Sequence, residues 1–146
     1  MPDLSPVPPF EQTVRVDATD IDALEHVNNI VYLRWVQDVA AAHWFAAAPP
    51  EDQAGLVWMV VRHEIDYLAP AVLGDEVVLR TWIGGAVGLR FDRHTNILRA
   101  SDRKPLAKAR TVWVPIDAKT GRPRRVPDRV RRMFSVEPPT APTELT

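Results

Sequence analysis

The chain has 146 residues, a formal net charge of −1 and 46% hydrophobic residues, values typical of one globular domain with a sizeable core. Its near-zero charge gives no reason to expect nucleic acid or an anionic membrane as a partner. The absence of cysteine excludes disulfides, thiolate catalysis and cysteine-ligated metals. The N-terminal residues lack the basic and apolar runs of a signal peptide, so we expect a cytoplasmic protein.

Proline-rich ends flank the part of the chain that we expect to fold. Residues 1–9 and 135–146 carry few large apolar side chains, so they bury too little surface to offset the entropy lost on ordering. We expect flexible tails at both ends and one domain over residues 10–134. Its first elements are a strand over residues 10–16 and a polar loop over residues 17–26.

A long apolar segment, from about residue 28 to residue 48, predicts a helix. Its polar residues Arg34, Gln37 and Asp38 fall on one narrow stripe, at helical spacings of three and four. Two consecutive prolines end the segment, because proline cannot continue the hydrogen-bond ladder of a helix. A helix that is apolar on most of its circumference must be wrapped by other structure.

The remainder of the chain predicts strands separated by short turns. Segments rich in β-branched and aromatic residues span residues 56–68, 76–86, 89–99 and 105–116. Glycines between residues 84 and 88 predict a loop or bulge, Trp82 is expected to face the interior, and residues 127–134 predict a short helix. One long helix against one antiparallel sheet is an α+β arrangement, in which the sheet should curl around the helix.

The strongest chemical signal stands immediately before the long helix. Two carboxylates, a histidine and two asparagines cluster there: Asp20, Asp22, His26, Asn28 and Asn29. A helix N-terminus presents unpaired N–H groups and a partial positive charge. It therefore attracts an anion, or a carbonyl oxygen that becomes anionic during reaction. An acid and a histidine beside it suit acyl transfer, and since no His/Asp/Glu spacing resembles a ligand set, we expect no metal and no cofactor.

Three sequence blocks, read in order, carry a resemblance to a known family. They are Asp20-x-Asp22 with His26-Val-Asn28-Asn29, Tyr32 and Trp35; Tyr67-Leu-x-Pro70 with Gly74-Asp75; and Thr111-x-Trp113 with Asp117, Thr120-Gly121 and Pro123. Over residues 10–127 the chain resembles the hotdog-fold thioesterases of the 4-hydroxybenzoyl-CoA thioesterase and acyl-CoA thioesterase group.

The resemblance implies a hotdog fold of β-α-β-β-β-β order, in which a curled antiparallel sheet wraps a long central helix. It also implies dimers, often paired into tetramers, whose active sites lie at subunit interfaces and hydrolyse a thioester of coenzyme A or, in plant relatives, of acyl carrier protein. By position, Asp22 matches the catalytic acid, Asn29 the residue whose backbone N–H polarises the thioester carbonyl, and His26 an assisting histidine. The residues expected to bind substrate are Tyr32, Gly88 and Arg90.

Two departures from the family pattern bear on mechanism. The family usually has glycine where this chain has Glu25, directly before the histidine. Plant acyl-carrier-protein thioesterases have a functional asparagine at the position of Leu24 and a functional glutamate at that of Ala71. These differences argue against the plant-type mechanism and leave one centred on Asp22.

The resulting hypothesis is an acyl-CoA thioesterase that self-associates to a dimer or tetramer and binds neither nucleic acid nor membrane. Asp22 either attacks the thioester carbonyl or activates water, whereas Asp20 is interpreted as structural. The alternatives are a non-catalytic acyl-CoA-binding module, a hotdog hydratase or dehydratase, and a purely structural dimer. The arginines near the C-terminus are interpreted as a solvated face, with the phosphates of coenzyme A as the less favoured partner.

Overall fold

The structure, a computed structural model, describes residues 8–134, so most of both predicted tails lies outside the described residues. Five strands are present: β1 (Phe10–Arg15), β2 (Leu56–Tyr67), β3 (Glu76–Val87), β4 (Arg90–Arg99) and β5 (Pro105–Asp117). The helices are α1 (Asn29–Ala47), α2 (Pro50–Gly55) and α3 (Asp128–Phe134), with a 3₁₀ turn at Ala18–Asp20. Of the helices in residues 8–134, none has the length and apolar character needed to cross a bilayer.

The strands form one antiparallel sheet in the order β1-β3-β4-β5-β2. The consecutive hairpins of β3, β4 and β5 make its centre, while β1 and β2 are its two edges. This arrangement confirms the predicted α+β class, with one long helix packed against one curled antiparallel sheet. It leaves β2, a strand of 12 residues, with one side of its backbone unpaired within residues 8–134.

The N-terminal half of α1 packs into the concave face of the sheet. Its buried side chains contact apolar residues of β3, β4 and β5, and the shared core consists of Val31, Tyr32, Trp35, Val36, Val39, Val77, Leu79, Ile97, Leu106, Ala107 and Ala109, among others. Each fully buried valine or leucine contributes about 1.5–3 kcal/mol relative to an exposed one. The predicted polar stripe of Arg34, Gln37 and Asp38 is exposed, and Ile30 and Phe45 continue it as exposed apolar residues.

The C-terminal half of α1 lies in a second cluster that α3 completes. Trp44 packs with Leu56, Ile83 and Phe91 of the sheet and with Phe134 of α3. The predicted terminal helix is therefore confirmed, whereas α2 was not predicted. The two prolines do end α1, but the second of them begins α2, where its missing N–H has no intrahelical partner to lose.

Trp82 lies on the outer face of the sheet, not on the face that was predicted. Val77, Leu79, Thr81 and Ile83 are buried, and because side chains alternate along a strand, Trp82 points away from α1. Its ring stacks on His94 at 5.6 Å between centroids. The prediction that Trp82 faces the interior was therefore wrong, whereas the expected bulge is present, since the β3–β4 register shifts between Ile83 and Gly85.

The bulge offers a matched test of packing on this face. A Cβ added at Gly84 would lie 2.5 Å from two ring atoms of His94, whereas one added at Gly85 would meet nothing within 4 Å. We expect Gly84→Ala to lower the free energy of unfolding by about 1–3 kcal/mol, as overpacking does, and Gly85→Ala to leave it unchanged or slightly raised. Urea unfolding measures both, and equal effects would contradict the predicted contact.

Candidate active site

The loop between β1 and α1 holds two of the three predicted catalytic residues, Asp22 and His26, and the third, Asn29, is the first residue of α1. An antiparallel bridge between Ile21 and Val27 closes residues 22–26 into a compact turn. The Val27 N–H donates to the Ala71 carbonyl at 2.9 Å, so this turn is anchored to the connection between β2 and β3. The anchoring holds the turn beside the first residues of α1.

Asp20 is buried and builds the loop. Its carboxylate accepts hydrogen bonds from the Asp17 N–H at 3.0 Å and from Arg34 Nη2 at 2.9 Å, and its carbonyl accepts from the Asn28 N–H at 2.8 Å. Its side chain is 5% exposed, against 55% for that of Arg34. Every one of these contacts serves the chain itself, which agrees with the structural role assigned to Asp20.

Asp22 is more accessible than Asp20, and the described hydrogen bonds to its carboxylate reach one of the two oxygens. Its Oδ1 accepts from the Leu24 N–H at 2.8 Å and from the His26 N–H at 3.4 Å, which closes the turn and fixes the direction of the carboxylate. Among the described residues, no hydrogen bond engages Asp22 Oδ2 or the exposed His26 ring. The turn therefore presents one carboxylate oxygen and an imidazole to a ligand.

The backbone conformation of this turn explains why the family usually has glycine at the position of Glu25. Its φ is +64°, a left-handed conformation that glycine adopts at no steric cost. The family's usual glycine fits this backbone, and Glu25 adopts the same backbone with some strain. The Glu25 N–H still donates to the Asp22 carbonyl at 3.0 Å, so the substitution leaves the turn intact.

The first turn of α1 contains the Asn29 N–H, which is the group predicted to polarise the thioester carbonyl. Asn28 is the N-cap, and its side-chain oxygen accepts from the Ile30 N–H at 3.1 Å. Its carbonyl takes the Val31 N–H, whereas no acceptor among the described residues takes the Asn29 N–H. Tyr67 donates its hydroxyl hydrogen to the Asn29 carbonyl at 3.1 Å. The Asn29 N–H is thus fixed in place and available to an oxygen from outside the chain.

Tyr32 lies beneath this turn, in the core. It is 2% exposed, and its hydroxyl accepts from the Ala71 N–H at 3.0 Å. Burial raises the pKa of this hydroxyl, and the hydrogen bond from Ala71 partly opposes that rise. Ala71 is itself fully buried, so the place of the plant glutamate holds a methyl group next to the turn.

Gly88 and Arg90 lie at the other end of the molecule. They belong to the β3–β4 hairpin, where Gly88 has a φ of +60° and both residues are exposed. The turn around Asp22 lies instead beside the start of β3, because the Val16 N–H donates to the Asp75 carbonyl. β3 has 12 residues, so the two groups are roughly 30 Å apart. Of the three predicted substrate-binding residues, one chain therefore brings Tyr32 close to the Asp22 turn but not Gly88 or Arg90.

A cavity of about 270 Å³ opens beside the C-terminal half of α1. Its walls are largely aromatic and come from α1, α3 and the sheet, and they include Trp44, Phe45, Trp58, Phe91, Trp113 and Phe134. Trp58 of β2 lines this cavity, whereas Trp35 of α1 lies in the other core cluster. Two arginines, Arg93 and Arg131, also line it.

Arg93 is the unexpected member of this wall, because it is buried. Its Nη1 lies 2.9 Å from His43 Nδ1 and 3.1 Å from Thr81 Oγ1. A guanidinium only donates, so the histidine nitrogen accepts and the ring is neutral. Burial, followed by the Arg93 charge, lowers the pKa of His43 to about 4, and burial lowers the pKa of Arg93 to about 9. Arg93 therefore stays protonated at neutral pH.

Other charged residues near the C-terminus take structural roles. Arg129 forms a two-pronged contact with buried Asp52, at 3.0 and 3.2 Å, and Arg124 lies 3.3 Å from Asp117. These pairs tie the C-terminal segment to the domain. Within residues 8–134, no three His, Asp or Glu side chains group closely enough to hold a metal ion.

A known family accounts for most of the chain. Residues 16–134 match the family model of the Thioesterase-like superfamily. The chain belongs to this superfamily. Its solved neighbours share the hotdog fold, a helix wrapped by a curled antiparallel sheet, which confirms the predicted architecture.

Three relatives illustrate the range of this similarity. A thioesterase from Thermus thermophilus, solved with coenzyme A and Zn, is 28% identical with a TM-score of 0.71, over 84% of this chain and 94% of that one. The 1,4-dihydroxy-2-naphthoyl-CoA thioesterase Slr0204 of Synechocystis is 21% identical with a TM-score of 0.71, over 84% and 93%. The chloroplastic acyl-[acyl-carrier-protein] hydrolase FATB2 of Cuphea viscosissima is 26% identical over 140 residues, covering 88% of this chain but only 33% of the hydrolase.

Sequence reasoning found the turn before α1 of this thioesterase-like chain but missed Arg93. Residues 89–99 alternate in polarity, which places polar Arg90, Asp92 and His94 on one face of β4. The signal for Arg93 was available, since strand alternation puts it on the same face as buried Phe91 and Ile97. A charged residue at a core-facing position of a strand predicts either a buried ion pair or a ligand site.

Replacement of the two aspartates of the loop should lower the free energy of unfolding by different amounts. Asp20→Ala leaves the Asp17 N–H without its acceptor and removes the Arg34 pair, so we expect a loss of about 1–3 kcal/mol in the free energy of unfolding. Asp22→Ala removes mainly one exposed turn bond and should cost about 1 kcal/mol or less. Chemical denaturation compares them, and an equal or greater loss for Asp22→Ala would refute the division of roles.

Proposed function

We propose that this chain hydrolyses an acyl-CoA thioester to a free acid and coenzyme A, without a metal or redox cofactor, and that Asp22 carries the reaction. The observation that supports this most directly is the turn before α1. It presents an unengaged Asp22 oxygen and the His26 ring beside the available N–H of Asn29. The Thioesterase-like superfamily to which the chain belongs supplies the reaction class.

The chemistry follows from these three groups. The thioester carbonyl oxygen accepts from the Asn29 N–H, whose partial positive charge stabilises the negative charge that develops on that oxygen. As a general base, Asp22 takes a proton from a water whose oxygen bonds to the carbonyl carbon; the C–S bond then breaks and the thiolate takes up a proton. As a nucleophile, the Asp22 carboxylate instead bonds to the carbonyl carbon, the C–S bond breaks and the thiolate leaves and takes up a proton; water then hydrolyses the mixed anhydride to the free acid and restores Asp22.

His26 and Tyr32 act beside these groups in the proposal. The His26 ring is exposed on the same turn as Asp22, where it can orient the substrate or the carboxylate. Tyr32 is buried under the turn, and its hydroxyl holds Ala71, whose carbonyl in turn anchors Val27. We therefore propose that Tyr32 contributes to substrate binding by fixing the floor of the site.

We propose coenzyme A rather than acyl carrier protein as the carrier. The similar thioesterase from Thermus thermophilus was solved with coenzyme A. Leu24 and Ala71 stand where the plant hydrolases carry functional polar residues, and Leu24 is 75% exposed. Gly88 and Arg90 are exposed at the hairpin, where a guanidinium can bind the nucleotide part of the carrier.

The site requires a second copy of the chain, since Gly88 and Arg90 lie far from Asp22 within one copy. Among the described strands β2 is an edge with one side unpaired, and its alternate residues Val57, Met59 and Val61 are 52%, 48% and 43% exposed. Such an apolar edge is normally paired or covered. We propose that two copies pair their β2 strands about a two-fold axis, which extends the sheet across the dimer.

This pairing brings the separated groups together. The Tyr67 end of β2 contacts the first turn of α1, while the other half of β2 lies near the hairpin, because Trp113 pairs with both Val60 and Phe91. Antiparallel pairing about the middle of a strand places each end beside the opposite end of its partner. The hairpin of one copy thus approaches Asp22 of the other, and each active site is composite.

The first test is the activity of Asp22→Asn. The amide keeps the shape of the side chain but is neither a base nor a nucleophile, so we expect kcat for acyl-CoA hydrolysis to fall by about 10²–10⁴. Release of free thiol from acyl-CoAs from acetyl to palmitoyl, and from aromatic ones, measures it. Asp20→Asn, assayed below its unfolding temperature, is the control and should lose less.

Either of two results would overturn the assignment: wild-type activity in Asp22→Asn, or a larger loss in Asp20→Asn. An absence of turnover in the wild type, with binding of acyl-CoA retained, would favour the non-catalytic binding module. Conversion of an enoyl-CoA in place of thioester hydrolysis would favour the hydratase.

Complementation tests the composite site. Asp22→Asn and Arg90→Ala subunits should each be impaired alone, because every site in either homodimer lacks one group. A mixed dimer carries one site with both groups intact, so unfolding and refolding the two variants together should restore up to about one quarter of wild-type activity, since half of random dimers are mixed. A monomer by light scattering that has full activity would contradict the proposed interface.

The cytoplasmic location expected from the sequence stays a prediction.

A further inference from the structure

The aromatic cavity beside α1 contains a feature that thioester hydrolysis leaves unexplained. Arg93 lines it and is 6% exposed, yet its hydrogen-bond partners there are the neutral side chains of His43 and Thr81. No ion pair of the described residues includes it, and the cavity wall contains no aspartate or glutamate. Arg93 is thus a buried cation that has no carboxylate partner in the part of the chain described.

The hydrogen-bonding groups around this cavity are unevenly distributed. Both described side-chain hydrogen bonds of Arg93 start from Nη1, and none involves its Nε or Nη2. The indole N–H groups of Trp58 and Trp113, two further wall residues, are buried and have no hydrogen-bond partner among residues 8–134. Gln53, the one amide of the wall, donates to the Phe45 and Ala48 carbonyls. The wall therefore offers donors in excess of acceptors.

A buried, unpaired charge is costly, and the cost falls when an opposite charge binds beside it. The apolar wall excludes water and so strengthens that pairing. We infer that the cavity binds an acyl group whose far end carries a carboxylate, and that Arg93 binds this carboxylate. The inference rests on the proposed function and specifies its substrate class as a thioester of a dicarboxylic acid.

The position and size of the cavity suit this role. Its rim includes Val57 at the start of β2, the end of the strand that the proposed dimer brings toward the partner's Asp22. An acyl chain attached at that Asp22 can therefore enter this cavity. A volume of about 270 Å³ exceeds the roughly 150 Å³ that accommodates benzene, so a ring or a medium-length chain fits together with its carboxylate.

Matched pairs of thioesters test the substrate class. Glutaryl-, adipoyl- and suberoyl-CoA are compared with pentanoyl-, hexanoyl- and octanoyl-CoA, which differ only in lacking the distal carboxylate. At the length that best fits the cavity, we expect wild-type kcat/KM to favour the carboxylated member about 10-fold or more, since a hydrogen bond to a charged group is worth that much. In Arg93→Met this preference, which is the ratio of the two kcat/KM values within each pair, should vanish.

Arg93→Met suits this test because an apolar side chain in place of a buried charge usually leaves stability unchanged or raised. Arg93→Lys is the matched variant; it keeps the charge and should retain part of the preference. Neutral members favoured at every length, or an unchanged preference in Arg93→Met, would overturn the inference.

A binding measurement separates this inference from the proposed function. Titration with free hexanoate, followed by the fluorescence of Trp58 and Trp113 in the wall, should show binding about 10-fold tighter than that of hexan-1-ol in the wild type, and no difference in Arg93→Met. Equal binding of the two probes by the wild type would refute the Arg93 site. Tighter binding of hexanoate without hydrolysis of any thioester would uphold the carboxylate site and refute the proposed function.

Discussion

The need to cover a helix that is apolar on most of its circumference governs this structure. Val36 and Val39 are fully buried, and Trp35 and Trp44 nearly so, which requires contacts on several sides of α1. One sheet can supply them only by curling, so the strands twist around the helix. A curled sheet that does not close into a barrel keeps two edges, and one of them, β2, stays apolar on its outer side. The proposed self-association would cover this edge.

The same constraint divides the molecule into two functional ends. The first turn of α1 emerges at the rim of the sheet, so the Asn29 N–H and the Asp22 turn reach solvent while Tyr32 directly beneath them is buried. At the other end α3 covers part of the C-terminal half of α1, and an aromatic cavity remains beside Trp44. The cavity is lined by Ala40 and Trp44 of α1, which lie roughly 17 and 23 Å along the helix axis from Asn29. In the proposed antiparallel dimer, the cavity of one copy lies toward the Asp22 turn of the other.

Much of this was predictable, for reasons that differ between elements. The bounds of α1 and the strands followed from apolar periodicity and from the prolines and glycines, because these signals are local. The Asp22 turn was found because its residues are contiguous in sequence. Trp82 was misplaced because its bulk suggested burial, whereas alternation from Val77 fixes the opposite face. Strand alternation predicts the buried face for Arg93, but its partner there is His43, 50 positions away, which no local pattern links to it.

Asp20 and Arg93 show two ways in which this fold treats a buried charge. Asp20 is neutralised within the chain, since Arg34 and a backbone N–H satisfy its carboxylate, and a charge so satisfied has nothing left to offer a ligand. Arg93 is held by neutral acceptors that fix its direction but leave its charge uncompensated. Stability alone would favour an apolar residue at that strand position. A buried cation retained there is therefore best explained by an anion that binds to it, and the open side of Arg93 is the cavity into which the acyl group is proposed to extend.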